Sequence, residues 1–442
     1  MGKTLNKIEL LAPAGSLEKL KYAIEYGADA VYAGIPDISM RARINNFTEK
    51  ALLEAAQFAH SRGKKIFVTV NIYAHGYHLP SIETHLKFLK KVNPDAVIVA
   101  DPGVISLVKK YLPKTAIHLS TQANTTNWQA AKFWYDAGVS RIILAREVTI
   151  EGIEEIHRKV PKLELECFVH GSMCMSYSGR CILSKWMSGK SANEGDCTQP
   201  CRWSYQRKAQ DTRNNNQTNS KFQFQNSEQD SKKYKTMEVE EMQSKKIIEL
   251  EEDSHGTYFF NSKDLNLIAH LKELRAAGIT AVKIEGRNKS VYYVASVTRA
   301  YRSMIDAIES KKSSQEIKEI QRLAEKELAK IANRGYTKGF LFGNEPEHEF
   351  KGKQASNEFQ FVGEVIASRG KELTVKIHNA LKKEEKIEII TKEKNIPVKI
   401  LNICDKDKKE VASAHGGHNN LYYVKINKEN IKPLSLLRKI MK

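Results

Sequence analysis

Nowhere in the 442-residue sequence do apolar residues run for the ~20 positions that a membrane-spanning helix needs. The opening MGKTLNKIELLAPAG also lacks the apolar centre of a secretion signal. Both absences set the expectation of a cytoplasmic chain with no membrane partner. No GxG pair occurs, so the glycine fingerprint of a dinucleotide-binding, doubly wound sheet is missing. The HExxH helix of zinc peptidases is missing too, since His348-Glu349 has no second histidine, and there is no GxSxG elbow. Gly189-Lys190-Ser191 fails as a phosphate loop because the upstream position, 184, is Ser.

Acidic residues are the scarcer charge: 52 Asp and Glu against 71 Lys and Arg leave a net charge of +19 and a pI near 9.4. Such a chain attracts polyanions, although a lysine-rich composition by itself is equally compatible with a solvated surface. Cysteine is scarce as well, six in all, yet Cys174, Cys181, Cys197 and Cys201 share the short stretch 170–203. In a reducing compartment, thiols concentrated this way point to a metal rather than to disulfides. The spacing C-x6-C-x15-C-x3-C lacks the paired CxxC knuckles of zinc sites, so a [4Fe–4S] cluster is preferred to zinc; reduced, unliganded thiols are the third alternative. Cys167 and Cys404 lie in apolar strand patterns and read as core residues.

What the chain does have is a repeated phrase in which a helix ends in Gly and an apolar run follows: EYGADAVYAG, DAGVSRIILAR, AAGITAVKIEG. Gly27, Gly138 and Gly278 fit helix C-terminal caps, and all-apolar runs fit parallel strands covered on both faces. Eight such strands are predicted, near 7–12, 29–34, 65–71, 95–100, 115–119, 140–145, 163–169 and 281–285. Eight β/α units predict an α/β fold of the TIM-type (β/α) barrel class, assembled from residues 1–205 and 246–335, with the cysteine loop at 170–203 following the seventh strand. Residues 206–245 are rich in Asn, Gln, Ser and Lys and predict a disordered insertion. From 355 to 442, short alternating strands predict a small C-terminal β-barrel accessory domain.

A barrel gathers the carboxyl ends of its strands around one mouth. Arg146 and Glu147 follow strand six, His170 follows strand seven, and Glu285 and Arg287 end strand eight; Asn71, Asp101, Ser120 and Gln122 end strands three to five. The alternative for the charged pairs Arg146–Glu147 and Glu285–Arg287 is structural, ion pairs that close the barrel rim. Lys-rich loops at 382–389, 392–399 and 405–410 and the tail 429–442 offer a second basic surface that an RNA would meet, although the acidic residues among them fit a solvated surface almost as well.

The stretch ECFVHGSMCMSYSGRCILS resembles the signature of the U32 "peptidase" family, with Glu166, Phe168, Gly171, Ser172, Met173, Cys174, Gly179, Cys181, Leu183 and Ser184 on its fixed positions. The resemblance continues through ELLAPAG, ADAVYAG, the CRW after the last cluster cysteine, NSKDL, KIEGR and the C-terminal β domain; the insertion at 206–245 departs from it. The chain is most similar to the bacterial tRNA uridine-hydroxylation branch. That resemblance implies an RNA-modifying enzyme that carries out prephenate-dependent 5-hydroxylation of the wobble uridine, with tRNA as partner and the four cysteines as cluster ligands. Their place at the strand ends around the mouth makes Arg146, His170, Glu285 and Arg287 the catalytic candidates. A dicarboxylate co-substrate such as prephenate suits bidentate guanidinium groups, so Arg146 and Arg287 are its expected grip, with Arg41 or Arg43 as further candidates. The family name also implies the alternative of a collagenase-like protease. Ser176 or Cys174 beside His170 could in principle form a nucleophile–base pair, but a cysteine that ligates a cluster is lost as a nucleophile.

Overall fold

A computed structural model of the chain describes residues 7–35, 38–39, 47–174, 176–194, 196–202, 262–310, 312–343, 358–417 and 421–441, and the backbone of four further short strands between 205 and 257. Eight parallel strands form the barrel: β1 (Glu9–Pro13), β2 (Ala30–Ala33), β3 (Lys65–Val70), β4 (Ala96–Val99), β5 (Ala116–Leu119), β6 (Arg141–Ile143), β7 (Glu164–Ser172) and β8 (Ile279–Ile284). They pair in chain order, and β8 pairs with both β7 and β1, Val282 lying opposite Cys167 on one side and Leu10 on the other. The sheet is therefore closed, a TIM-type barrel.

Several helices begin where a short polar side chain satisfies the first free N–H groups. Ser16 caps α1 (Leu17–Glu25), Thr48 caps α2 (Glu49–His60), Asn127 caps α5 (Trp128–Asp136) and Thr149 caps α6 (Ile150–Lys159). Asp101, which sequence position assigned to the barrel mouth, does the same for α4 (Pro102–Tyr111): its carboxylate accepts from Val104 N at 3.0 Å. Between these, α3 (Leu79–Val92) ends on Asn93 in the left-handed conformation, φ 50°. At Gly278, φ is +107° and a Cβ would lie 2.3 Å from the His157 ring, so the turn into β8 requires glycine for both reasons.

After β7 come the cysteine loop, with its short α-helix α7 (Leu183–Ser188), and a four-stranded antiparallel sheet of Tyr205–Arg207, Lys235–Glu241, Ile247–Asp253 and Gly256–Thr257. Thus Tyr205–Arg207 and Lys235–Glu241, at the ends of the polar stretch 206–245, are strands; 208–234 and 242–246 lie outside the described residues. In KTMEVEE, Met237 and Val239 alternate with Thr236, Glu238 and Glu240, the period of two that a strand has. The short helix α8 (Leu271–Ala276) leads into β8, and after it α9 (Val291–Glu309) packs on α1 and α10 (Ser314–Ala329).

The C-terminal domain is a curled antiparallel sheet of seven strands, in the spatial order Asn395–Val398, Ile387–Ile390, Leu436–Ile440, Phe359–Arg369, Glu372–Ile377, Leu421–Ile426, Ile400–Cys404. Its two edges are the two halves of one run, 395–404, interrupted only at Lys399, and this bend wraps the sheet round its own core. The tail that was expected to offer an RNA surface contributes instead a central strand. Arg438 there is fully buried and ion-paired to Glu327 of α10 at 3.1 Å and Glu388 at 2.7 Å. Arg299 to Asn395 at 2.7 Å and the Tyr26 hydroxyl to Ile390 O at 2.8 Å complete the seam between domains. Three lysines of the predicted basic loops are ion-paired at the surface, Lys392 with Glu25, Lys408 with Glu372 and Lys383 with Glu410. Among the described residues no helix is long and apolar enough to cross a membrane.

Candidate active site

β7 outlasts its neighbours and delivers the cysteine loop to the mouth, where the loop folds back over the strand ends. Polar ties hold it there. The Tyr73 hydroxyl lies 2.8 Å from Gln122 O and 2.7 Å from Gly179 O, Asn124 Nδ2 donates to Ser178 O at 3.0 Å, and the Ser178 amide donates to Glu147 at 2.8 Å. Gly179 adopts φ +74°, and a Cβ there would sit 2.1 Å from Gln122 O; only glycine lets the loop approach this closely. Within the loop, Thr198 bridges Ser184 and Ser188 at 3.1 and 2.8 Å, fixing α7 against the last two cysteines.

Beneath the loop lies a cavity of about 150 Å³. Cys174, Cys181, Cys197 and Cys201 all border it, as do Arg146, Glu285 and Arg287. None of the four cysteines is in a disulfide. Among the described residues no three His, Cys, Asp or Glu side chains are drawn together tightly enough to hold a metal ion; the thiols share one lining without forming a compact set. As a donor set, four thiols on one cavity wall, with no imidazole beside them, suit iron or zinc rather than a hard cation.

The two arginines are differently held. Arg287 is buried, donates to Thr69 Oγ1 at 3.1 Å and stands 5.6 Å from the Tyr32 ring. Arg146 lies 4.0 Å over the Phe168 ring, and its Nε is buried without a hydrogen-bond partner among the described residues. Glu147 turns to Ser178 rather than to Arg146, so the rim ion pair drawn from sequence adjacency does not form between those two. Asn71 Nδ2 donates to Ser120 Oγ at 3.0 Å on the same wall, beside Gln122. Arg41 and Arg43 lie outside the described residues.

His170 does not reach this cavity. The β7–β8 register slips: Phe168 is opposite Lys283, but Ile284 is opposite His170, so one extra residue on β7 turns His170 out of the inward series of Glu166 and Phe168. Its ring sits instead among Tyr293, Tyr301 and Tyr336, with centroids 6.0, 5.5 and 5.5 Å away. Burial pushes its pKa down to about 4, so the ring is neutral at pH 7. The expected partnership of His170 with Ser176 or Cys174 is thereby absent, because only the latter two border the mouth cavity.

Lys283 is the cavity residue that strand position did not single out. Its ammonium is paired with Glu166 at 3.0 Å and lies 4.4 Å over the Tyr32 ring. Burial pulls its pKa below the usual lysine value even though Glu166 opposes the shift. Arg141 reaches the second Glu166 oxygen at 3.3 Å and also Glu9 at 2.6 Å, so a chain of alternating charges runs up the barrel axis to the cavity floor. The available signal was one charged residue inside each of three otherwise apolar strand runs, in the phrases KIELLAP, SRIIL and AVKIEG.

Residues 15–351 match peptidase family U32 and residues 357–438 match the peptidase family U32 C-terminal domain. The chain is 41% identical over 404 residues to tRNA hydroxylation protein P of Escherichia coli strain K12, covering 88% of this chain and 87% of that protein. It is 36% identical over 439 residues to tRNA hydroxylation protein P1 of Bacillus subtilis strain 168, covering 98% and 95%. A protein named collagenase from Porphyromonas gingivalis is 31% identical over 376 residues, covering 82% and 80%. With a four-thiol loop over the mouth of a closed barrel, and matches that extend over both domains, the chain belongs to peptidase family U32.

Proposed function

We propose that this chain hydroxylates C5 of the wobble uridine of tRNA, with prephenate as co-substrate and a [4Fe–4S] cluster on Cys174, Cys181, Cys197 and Cys201. One observation carries the reading: the four thiols share with Arg146, Lys283 and Arg287 a single cavity of about 150 Å³. A compact space of that size suits the ring of a small co-substrate, whereas a protease needs a cleft along which several residues of an extended chain can lie. The names of the relatives from E. coli and B. subtilis support RNA hydroxylation as the activity.

In this reading the chain's own groups bind and orient. The unpaired Arg146 Nε and the Arg287 guanidinium meet carboxylates, which guanidinium groups grip bidentately. Phe168 and Tyr32 give the ring flat apolar walls, and the loop held by Tyr73 and Gly179 keeps bulk water out. Glu285 and the depressed Lys283 are the groups within the cavity suited to hold or pass a proton. A bound cluster would supply redox or Lewis-acid chemistry at the same wall.

The test is mass spectrometry of tRNA nucleosides from a deletion strain carrying the wild-type gene, Arg287→Ala or Cys197→Ser. Loss of 5-hydroxyuridine derivatives in the deletion, restored by the wild type alone, is expected; a strain blocked in prephenate synthesis should show the same loss. An unchanged nucleoside profile together with lost gelatin hydrolysis would replace this reading with the collagenase-like one.

A further inference from the structure

We infer that the rim around the barrel mouth is a docking surface for a single-stranded loop of RNA, with Tyr77, Tyr177 and Trp186 stacking on bases beside the one presented to the cavity mouth. The inference rests on the reading that the substrate is RNA, and adds where and how that RNA is held.

Among the described residues five large apolar side chains are 60% or more exposed, and four of them stand on this rim: Ile182 at 74%, Tyr77 at 70%, Tyr177 at 67% and Trp186 at 60%. Exposed apolar surface gathered in one place marks a contact site, whereas scattered single residues need no account. Tyr177, Ile182 and Trp186 are carried by the cysteine loop and Tyr77 by the turn after β3. The two segments are tied into one platform by the Tyr77 hydroxyl on Glu194 at 2.9 Å and by Tyr73 N on Asn193 O at 3.0 Å. The His75 ring already stacks on Tyr77, with centroids 5.5 Å apart and planes 2° from parallel, so the turn presents its flat faces preset.

Charge chooses the occupant. Arg180 and Lys185 are exposed among the rings. The rim carboxylate Glu194, near Lys185, already accepts from Tyr77. Flat aromatic faces interleaved with cations suit unstacked bases on a phosphate backbone, because every base has a π-face and every nucleotide a negative charge. A duplex presents stacked bases and would leave the rings uncovered. The groups proposed for the chemistry line the cavity beneath the loop, so the reacting base must be turned out of its stack to meet them at the cavity mouth, as enzymes acting on bases require.

The full-length protein is titrated with a fluorescein-labelled RNA hairpin carrying a single-stranded loop, and with a fully paired duplex of the same composition. Tight loop binding with quenching of tryptophan fluorescence is expected, and Trp186→Phe should abolish that quenching although three other tryptophans remain. Tyr177→Ala and Trp186→Ala should each weaken loop binding about tenfold, and Arg180→Ala with Lys185→Ala should flatten its salt dependence by one to two phosphate contacts. All four side chains are exposed, so an unchanged urea midpoint verifies that these variants fold. Duplex binding as tight as the loop, or ring variants that bind as the wild type does, overturns the inference, as does a rim that binds anionic vesicles or gelatin but not RNA. Because binding is read without turnover, the two readings fail separately. Ring-dependent binding in a strain with unchanged nucleosides refutes hydroxylation alone, and normal hydroxylation by the ring variants refutes the docking surface alone.

Discussion

Replacing Lys283 by Met removes one of two cations from a carboxylate with no solvent contact: the Glu166 side chain is 0% exposed and the Lys283 side chain 5%. At 3.0 Å and the effective dielectric of about 20 that suits buried pairs, the attraction is roughly 5 kcal/mol, much of it offset by the desolvation of both groups. Removing one partner alone leaves the other charge buried, which costs about 3–5 kcal/mol. Here Arg141 remains 3.3 Å from the second Glu166 oxygen, so the lower end, about 3 kcal/mol, is expected for Lys283→Met. Glu166→Gln should cost about as much, because it leaves Lys283 and Arg141 facing each other without their shared anion. The double variant has neither stranded charge, and its cost should fall short of the sum by about 2 kcal/mol. Urea unfolding of all four proteins at neutral pH, with the denaturant slope checked for constancy, measures this cycle. If Lys283→Met is as stable as the wild type, or if the two single costs add within about 0.5 kcal/mol, the buried pair does not hold the barrel interior as argued.

Three further outcomes are expected. His85 and His170 are held neutral by burial, each with its pKa pushed down to about 4, against about 6.5 in the unfolded chain. The unfolded state therefore takes up protons first as pH falls, and stability declines from about pH 6.5 until pH 4; at pH 5, 1.5 units below the unfolded value, each histidine accounts for roughly 2 kcal/mol. Urea midpoints that stay level between pH 7 and 5, or that fall as steeply in His85→Phe as in the wild type, would contradict this. Anaerobically purified Cys197→Ser should contain markedly less iron and sulfide than the wild type with an unchanged far-ultraviolet circular dichroism spectrum; a full iron complement, or zinc in the wild type, would remove the cluster. Gly179→Ala forces a left-handed φ on a side chain and a 2.1 Å approach to Gln122 O, so the loop must lift. Faster amide exchange across 174–201 is the readout, and wild-type protection there would show that the loop is not pinned at this glycine.

The barrel was legible because its strands are covered on both faces. Each predicted strand overlaps an observed one, and the glycines that end the preceding helices are where the periodicity put them. The cysteine loop was legible for a different reason: its four thiols are local in sequence and needed only the end of β7 to bring them to the mouth. His170 was misassigned because a single extra residue in the β7–β8 register reverses which face a side chain takes, and nothing local in ECFVHGS encodes that slip. Lys283 was passed over because its meaning depends on Glu166, 117 positions earlier on an adjoining strand. The strand at Leu436–Ile440 was read as a basic tail because Arg438 and Lys439 carry charge, and only distant carboxylates, Glu327 and Glu388 for one and Glu385 for the other, make that charge tolerable inside. The exposure of Trp186 and Tyr177 was likewise invisible, since an aromatic residue in a loop pattern reads the same whether it is covered or bare.

The closure of β8 onto β7 and β1 has a consequence for biosynthesis. Ser172 ends β7 and Ile279 begins β8, so 107 positions separate the two strands that meet at the seam. At about 5–20 residues per second, a ribosome needs roughly 5–20 seconds to supply the missing strand after the seventh has emerged. Throughout that interval the nascent sheet is open, with the unpaired edges of β1 and β7 exposed, both apolar and both competent to pair with another chain. The newborn protein is thus most exposed to aggregation after most of its barrel has been made, and a protecting chaperone would have to act in that interval, before Ile279–Ile284 arrives.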